Sequence, residues 1–405
     1  MTWNPIWVLP NIDLDAPVES DFFALAPFAD RRIPEMKRRH PEFRKFMMRF
    51  TDTFRKRIDP TLVLCRENAP QRLTTSEAAT SFRDLLVASM VPYAQSRNII
   101  NDNTHFQATY SSYFWVYPWM TDRDDRKISA VTPTLVAVHE AQQFKGQSSP
   151  DLSPTMAIRS NFDEPLLQEL LGRWNARYNV DEPSWKNIAL CRSLNMANQA
   201  SLFPGGVDAT IHDFGRIAGL WVSSFEILVH PGGSGQANLT KVLELLERVP
   251  WIDKKCGHRR YEVRIGKQIA RKNLACWLYR EMYRCRNEFL HGNPVNIASL
   301  QIRQSGRGLI PFGAILYRLG LTSFLDLSLK EEPPSLTDTE AFAQFISDNW
   351  DFEKPQKVAE EALCLARVSE EEERRKRARR PWSLPLALAF SPTGRVAPVV
   401  QRQPS

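Results

Sequence analysis

The chain is sparing with cysteine: six in 405 residues, at 65, 191, 256, 276, 285 and 364, with no two at C-x2-C spacing. That removes zinc-knuckle and dithiol-redox frameworks and leaves buried free thiols in a reducing cytoplasm as the expectation. Long hydrophobic runs are missing too. No stretch of about 20 apolar residues exists to span a bilayer. The opening MTWNPIWVLPNIDLD has neither the basic nor the apolar region of a signal peptide. A cytoplasmic protein with no membrane partner is expected. Nucleotide and metal motifs fail in turn. HPGGSG (230–235) carries a phosphate loop's glycines, but no Gly-Lys-Ser/Thr follows. His139-Glu140 opens like a zincin helix, yet position 143 is Gln, and Cys256 with His258 has no further ligands nearby. There is no Ser-centred nucleophile elbow. These absences exclude several hydrolase and nucleotide-transfer classes and leave no metal or cofactor expected.

What is present is ordinary globular composition, with 43% hydrophobic and 24% charged residues. The net charge of +7 and pI near 9.1 lean towards an anionic partner, nucleic acid first among them. At this length two or three domains fit.

The hydrophobic pattern reads mainly as helix. Phe43, Phe46, Met47, Phe50 and Phe54 form a stripe after Pro41. A second helix is predicted from Thr75/Ser76 up to Pro92, and a third from the Asp163 cap through Trp174. The aromatic stretch YSSYFWVYPWM (110–120) suits extended chain; it could stack on bases, but core packing is the commoner use. Residues 140–160 read as a loop, and FPGGVD (203–208) marks a domain boundary. Beyond it, helices are expected at 209–229, 238–249, 266–291 and 309–320, an antiparallel bundle by pattern. A linker around Pro333 and Pro334 leads to helices at 338–347 and from about 355. EEEERRKRARR (370–380) reads as a charged helix, and residues 381–405 as a disordered tail.

The helix predicted over 266–291 holds the most suggestive chemistry. At about 100° per residue, Leu274, Leu278, Met282, Cys285 and Phe289 fall on one stripe. Tyr283, Asn287 and His291 lie roughly opposite, with Arg280 nearby and Arg286 on the flank. Gly292 and Pro294 end the helix, so His291 stands at the negative end of its dipole, where an imidazole can exchange a proton. Eleven basic residues between 254 and 286, among them Arg271, Lys272, Arg280 and Arg284, face only Glu262 and Glu281. Such an excess can supply phosphate contacts. From the residues alone, a polar helix face with a good cap is an equally fair reading. Arg286 and His291 are about 140° apart on an ideal helix, so their convergence is left open.

RNEFLH (286–291) matches the R-x4-6-H signature of the HEPN superfamily, with the preferred polar residue directly after the arginine and the typical glycine following. The region resembles the Apea-like HEPN group, and SSFEILVH (223–230) looks like its leading helix. The similarity covers about 205–325, under a third of the chain. It implies a HEPN-type antiparallel helical bundle at 205–330, a homodimer through that bundle, and a metal-independent endoribonuclease of the toxin or antiphage-defence kind. Arg286 would neutralise the scissile phosphate, His291 would act as general acid and base, and Asn287 would orient the histidine or the RNA. Glu226 and Tyr283 are auxiliary candidates, with a salt bridge the plainer role for Glu226. Arg271, Lys272, Arg280 and Arg284 would contact RNA. Residues 1–204, mostly helical with an α+β option, would sense a trigger or partner or select the target, and residues 331–380 would add C-terminal helices. The alternative is a non-catalytic HEPN module that binds RNA, nucleotide or a protein partner. A scaffold whose motif is only a capped helix is a third reading.

Overall fold

The computed structural model describes residues 2–39, 41–48, 50–51, 56–101, 110–118, 120–121, 128–129, 162–203, 208–335 and 337–368. The loop at 140–160, the charged helix at 370–380 and the tail at 381–405 lie outside the described residues. The chain opens with strands β1 (Trp3–Leu9), β2 (Val18–Glu19) and β3 (Phe23–Ala26). Two short helices follow, α1 (Ile33–Arg39) and α2 (Pro41–Met47), and then β4 (Thr61–Arg66). After the long helix α3 (Ser76–Asn101), β5 (Tyr117–Pro118) completes an antiparallel sheet of order β2-β3-β4-β1-β5.

Side chains alternate across that sheet. Phe23, Leu25, Val63 and Cys65 enter the main core, whereas Ala24, Ala26, Leu62 and Leu64 enter a second, smaller one. The pairing of Phe23 with Cys65 through Ala26 with Leu62 fixes this, because a one-residue slip would exchange the faces. Ile33, Met36, Phe43, Phe46 and Phe50 close the second core from α1, α2 and the chain just beyond. The N-terminal region is therefore α+β. That is the option the sequence left open beside the mostly helical reading; β4 itself, covered on both faces, is a continuous apolar run without strand alternation. The stripe from Phe43 to Phe50 is buried as expected, but the helix stops at Met47, and Phe54 lies outside the described residues.

The stop expected at Pro92 is also overruled. α3 carries Pro92 in its interior, and Val91, Pro92 and Tyr93 are all buried. Core packing on every side outweighs the roughly 3 kcal/mol that an interior proline costs a helix. In the aromatic stretch, Tyr113 and Phe114 are core residues. A small hairpin, β6 (Met120–Thr121) with β7 (Ile128–Ser129), precedes α4 (Glu164–Tyr178). The Asp163 carboxylate caps α4 by accepting from the Leu166 N–H at 3.4 Å.

The remaining elements are helical except for one hairpin: α5 (Trp185–Ala200), α6 (Ile211–Leu228), α7 (Leu239–Glu247), α8 (Lys254–His258), β8 (Tyr261–Ile265), β9 (Gln268–Lys272), α9 (Leu274–Leu290), α10 (Gly313–Phe324) and α11 (Thr339–Leu365). The hairpin corrects the expectation of a helix from 266. Gly266, at φ +59°, opens a two-residue turn between Ile265 and Gln268, the position glycine fills in hairpins. Tyr261 and Val263 alternate inward with Glu262 and Arg264 outward, a period of two that a helical projection cannot accommodate. The two C-terminal helices are one, since α11 runs through Pro355, which is buried like Phe352 and Ala359 on either side of it.

One apolar core runs from Leu9 to Ala366 and crosses the boundary expected near 204. There α5 meets α6 directly: the Ser193 hydroxyl donates to the Ser224 carbonyl at 2.7 Å and lies 2.6 Å from the Tyr317 hydroxyl. A buried polar chain joins the start of α4 to α10, α11 and the segment before α8. Arg318 on α10 donates to Asp163 at 2.6 Å and to Gln356. Gln356 in turn donates to Glu360, which accepts the backbone N–H groups of Ile252 and Asp253. Cys256 and Cys364 form a disulfide between α8 and α11, so two of the six thiols are not free; 108 residues of separation hid the pair from any spacing argument. No helix among the described residues is long and apolar enough to cross a membrane.

Candidate active site at the α6–α9 groove

Asn273 starts α9 by accepting from the Cys276 N–H at 3.0 Å, and the first two turns are buried on all sides. The last turns emerge half exposed. His291 is the C-cap, its N–H bonded to the Asn287 carbonyl at 3.1 Å, and Gly292 turns the chain away at φ +68°. α6 runs antiparallel to α9. Phe225 packs on Tyr279 at 5.0 Å between ring centroids, and at the other end Phe289 lies so close to Gly215 that an added methyl would fall 2.2 Å from the ring.

Between these contacts lies a polar groove. Gly219 leaves room for the Arg286 stem: a methyl there would just touch Arg286 Cγ at 4.0 Å. The Arg286 guanidinium donates to Asn287 Oδ1 at 2.9 Å and lies 5.7 Å from the Tyr283 ring centre, while its Nε is buried without a hydrogen-bond partner. Glu226 faces it from α6. Burial pushes the Glu226 carboxyl up from its ordinary value, and the Arg286 charge pulls it partly back. Tyr279, which sequence reasoning missed, completes the cluster. Its hydroxyl is buried and unpartnered, and burial with the nearby Glu226 drives the phenol well above its usual range. The spacing 279, 283, 286, 287 is a helix face, and that periodicity was the available signal. Tyr279 and Arg286 each keep a buried polar atom without a protein partner, as do nine other atoms among the described residues. Only here do two of them share one helix face beside a half-buried carboxyl.

The structure thus brings together Arg286, Asn287, Tyr283 and Glu226. No hydrogen bond or ring contact joins His291 to Arg286 within one chain. His291 is exposed, with Leu290 (62% exposed) beside it in sequence and Ile297 (73%) six residues on. Exposed His212, at the start of α6, lies 6.3 Å from the Phe289 ring at the same end.

The residues expected to hold RNA divide. Arg271 stands exposed on β9, across the ladder from Glu262. Arg280 donates to the Arg264 carbonyl at 2.8 Å and lies 5.8 Å from the Tyr283 ring centre, on the groove's edge. Lys272 is 3.8 Å from Glu247. Arg284 is engaged with Glu281, Glu288 and the Gln301 carbonyl, a structural clamp rather than a free cation. No three His, Cys, Asp or Glu side chains among the described residues gather as metal donors.

No family model, curated protein or solved structure matches the chain.

Proposed function

We propose that the chain is a HEPN-type endoribonuclease, with Arg286 and His291 as its working pair and RNA as its substrate. One observation carries the reading. Arg286 is held by Asn287 and Tyr283 on the α9 face that meets α6, while His291 is exposed at the helix end, with exposed Leu290 preceding it and exposed Ile297 six residues on in sequence. That geometry suits a site completed by a second copy, because burying Leu290 and Ile297 against a partner would bring the two motifs into one cleft. A homodimer is therefore part of the proposal, as is the assignment to a defence or toxin-like effector, which rests on the family resemblance.

In this reading His291 takes the proton of the ribose 2′-hydroxyl as the 2′ oxygen attacks phosphorus. The bond to the 5′ oxygen breaks, and that oxygen leaves with the proton returned by the His291 imidazolium. The products are a 2′,3′-cyclic phosphate and a 5′-hydroxyl. Arg286 neutralises the charge building on the phosphate oxygens, Asn287 fixes the guanidinium, and no metal is required. His291→Ala and Arg286→Ala should each lower RNA cleavage in EDTA by about 100-fold or more while the thermal midpoint stays put. Unchanged cleavage in both variants overturns the assignment.

The lack of a direct contact between Arg286 and His291 within one chain favours a second reading, a non-catalytic module that binds RNA, nucleotide or a protein partner through the same groove. Binding with steep salt dependence and no cleavage at any protein concentration would select it.

A further inference from the structure

A second basic surface lies in the N-terminal layer. Residues 31–57 contain eleven Lys and Arg against three Asp and Glu, a local excess of eight in a chain whose total is +7. Arg32 and Arg39 are tied to Glu19, Asp30, Glu35 and Glu67, whereas Arg31, Arg38, Arg44, Lys45, Lys56 and Arg57 are exposed. Ile33, Met36, Phe43, Phe46 and Met47 turn inward onto the sheet, which leaves Arg38, Arg44 and Lys45 on the exposed side of α1 and α2. Arg38 and Arg44 have no carboxylate partner among the described residues. At the edge, two cations share one aromatic ring: Lys37 Nζ is 3.6 Å from the Phe28 centroid and Arg57 Cζ is 5.7 Å from it, with exposed Asp59 3.5 Å from Arg57 as the one carboxylate beside them among the described residues. Pairing of Thr51 with Arg57 returns the chain to that spot. The crowding is felt by Lys37, whose ammonium is pushed below its ordinary value by burial first and then by Arg57 and Arg44, with Asp59 opposing. Like charges held this closely on a folded surface call for an anion, and a row of them calls for a polyanion.

We propose that the outer face of α1 and α2, with Lys37, Arg44 and Arg57 around Phe28, binds the phosphate backbone of a nucleic acid and seats RNA away from the α6–α9 groove. The choice of RNA rests on the endoribonuclease reading; the surface itself does not. Its contacts are to phosphate, so it would hold RNA without reading sequence and leave selection to other parts of the chain.

The test is fluorescence anisotropy of a labelled single-stranded RNA with the full chain, carrying His291→Ala to keep the probe intact, over a salt series. Lys37→Gln, Arg44→Gln and Arg57→Gln together should weaken binding at least tenfold and lower the salt slope by about 2, at about 0.7 per lost contact. A charge-matched control, Lys330→Gln, Lys354→Gln and Lys357→Gln, should change affinity less than twofold, and Lys37→Arg should bind as well as the parent. Equal losses in both triples would reduce the effect to net charge and overturn the proposal. So would an unaltered slope in the first triple, or anionic phospholipid vesicles bound through this face in place of RNA. A protein that loses RNA through this face yet never cuts it upholds the inference while the nuclease reading fails.

Discussion

Arg286 and Asn287 are neighbours in sequence and in space, and their hydrogen bond engages one guanidinium arm. The sequence placed His291 opposite the core stripe and at a helix end, and it is exposed there. It could not place Arg286, because a long side chain on a helix flank goes where the next helix leaves room, here alongside Gly219. Glu226 was legible as a polar residue on α6, whereas its coupling to Arg286 required the packing of α6 on α9. That coupling has a sign. Removing the cation in Arg286→Ala should raise the Glu226 titration midpoint further, read by carboxyl-carbon NMR; an unmoved midpoint would separate the two groups. The same carboxyl links to stability. Because its folded-state value is raised, the fold binds the proton more tightly, so stability from this group is fully present below the ordinary carboxylate range and is lost as pH rises through the raised midpoint. Glu226→Gln should therefore flatten the fall in thermal midpoint over that window, and a curve parallel to the parent would contradict it.

At the scale of elements, periodicity located α4, α6, α7 and most of α9, because each has one clear apolar face and a cap residue. It failed where tertiary packing overrides local rules, at Pro92 and Pro355, and where a basic hairpin reads as part of the next helix. The close approach of α6 and α9 was hidden too, since one glycine among many gives no sign of the ring lying over it. Gly215→Ala should force Phe289 aside and cost about 1–3 kcal/mol in urea unfolding, with a further loss of RNA cleavage as the α9 end shifts. Wild-type stability in this variant would mean that the groove is looser than the structure has it.

Across the whole molecule, the predicted division near 204 runs through continuous packing, and Arg318 shows why. Its guanidinium and the Asp163 carboxylate are both almost fully buried, and they join the cap of α4 to α10 and α11. Arg318→Leu leaves Asp163 buried without its partner and should lower unfolding free energy by about 3–5 kcal/mol in a single transition; a separate early transition of the N-terminal region would show two independent units. Nothing in a linear pattern announces a contact 155 residues apart.

The central claim is that Arg286 and His291 act on one phosphate from two copies of the chain. The most direct measurement mixes two silent variants, Arg286→Ala and His291→Ala, with labelled RNA in EDTA and follows 2′,3′-cyclic phosphate ends. Each variant alone should be inactive and the equimolar mixture should regain cleavage, because a mixed dimer restores one arginine facing one histidine. Wild-type cleavage by either variant alone, or a mixture that dimerises and stays silent, would contradict it.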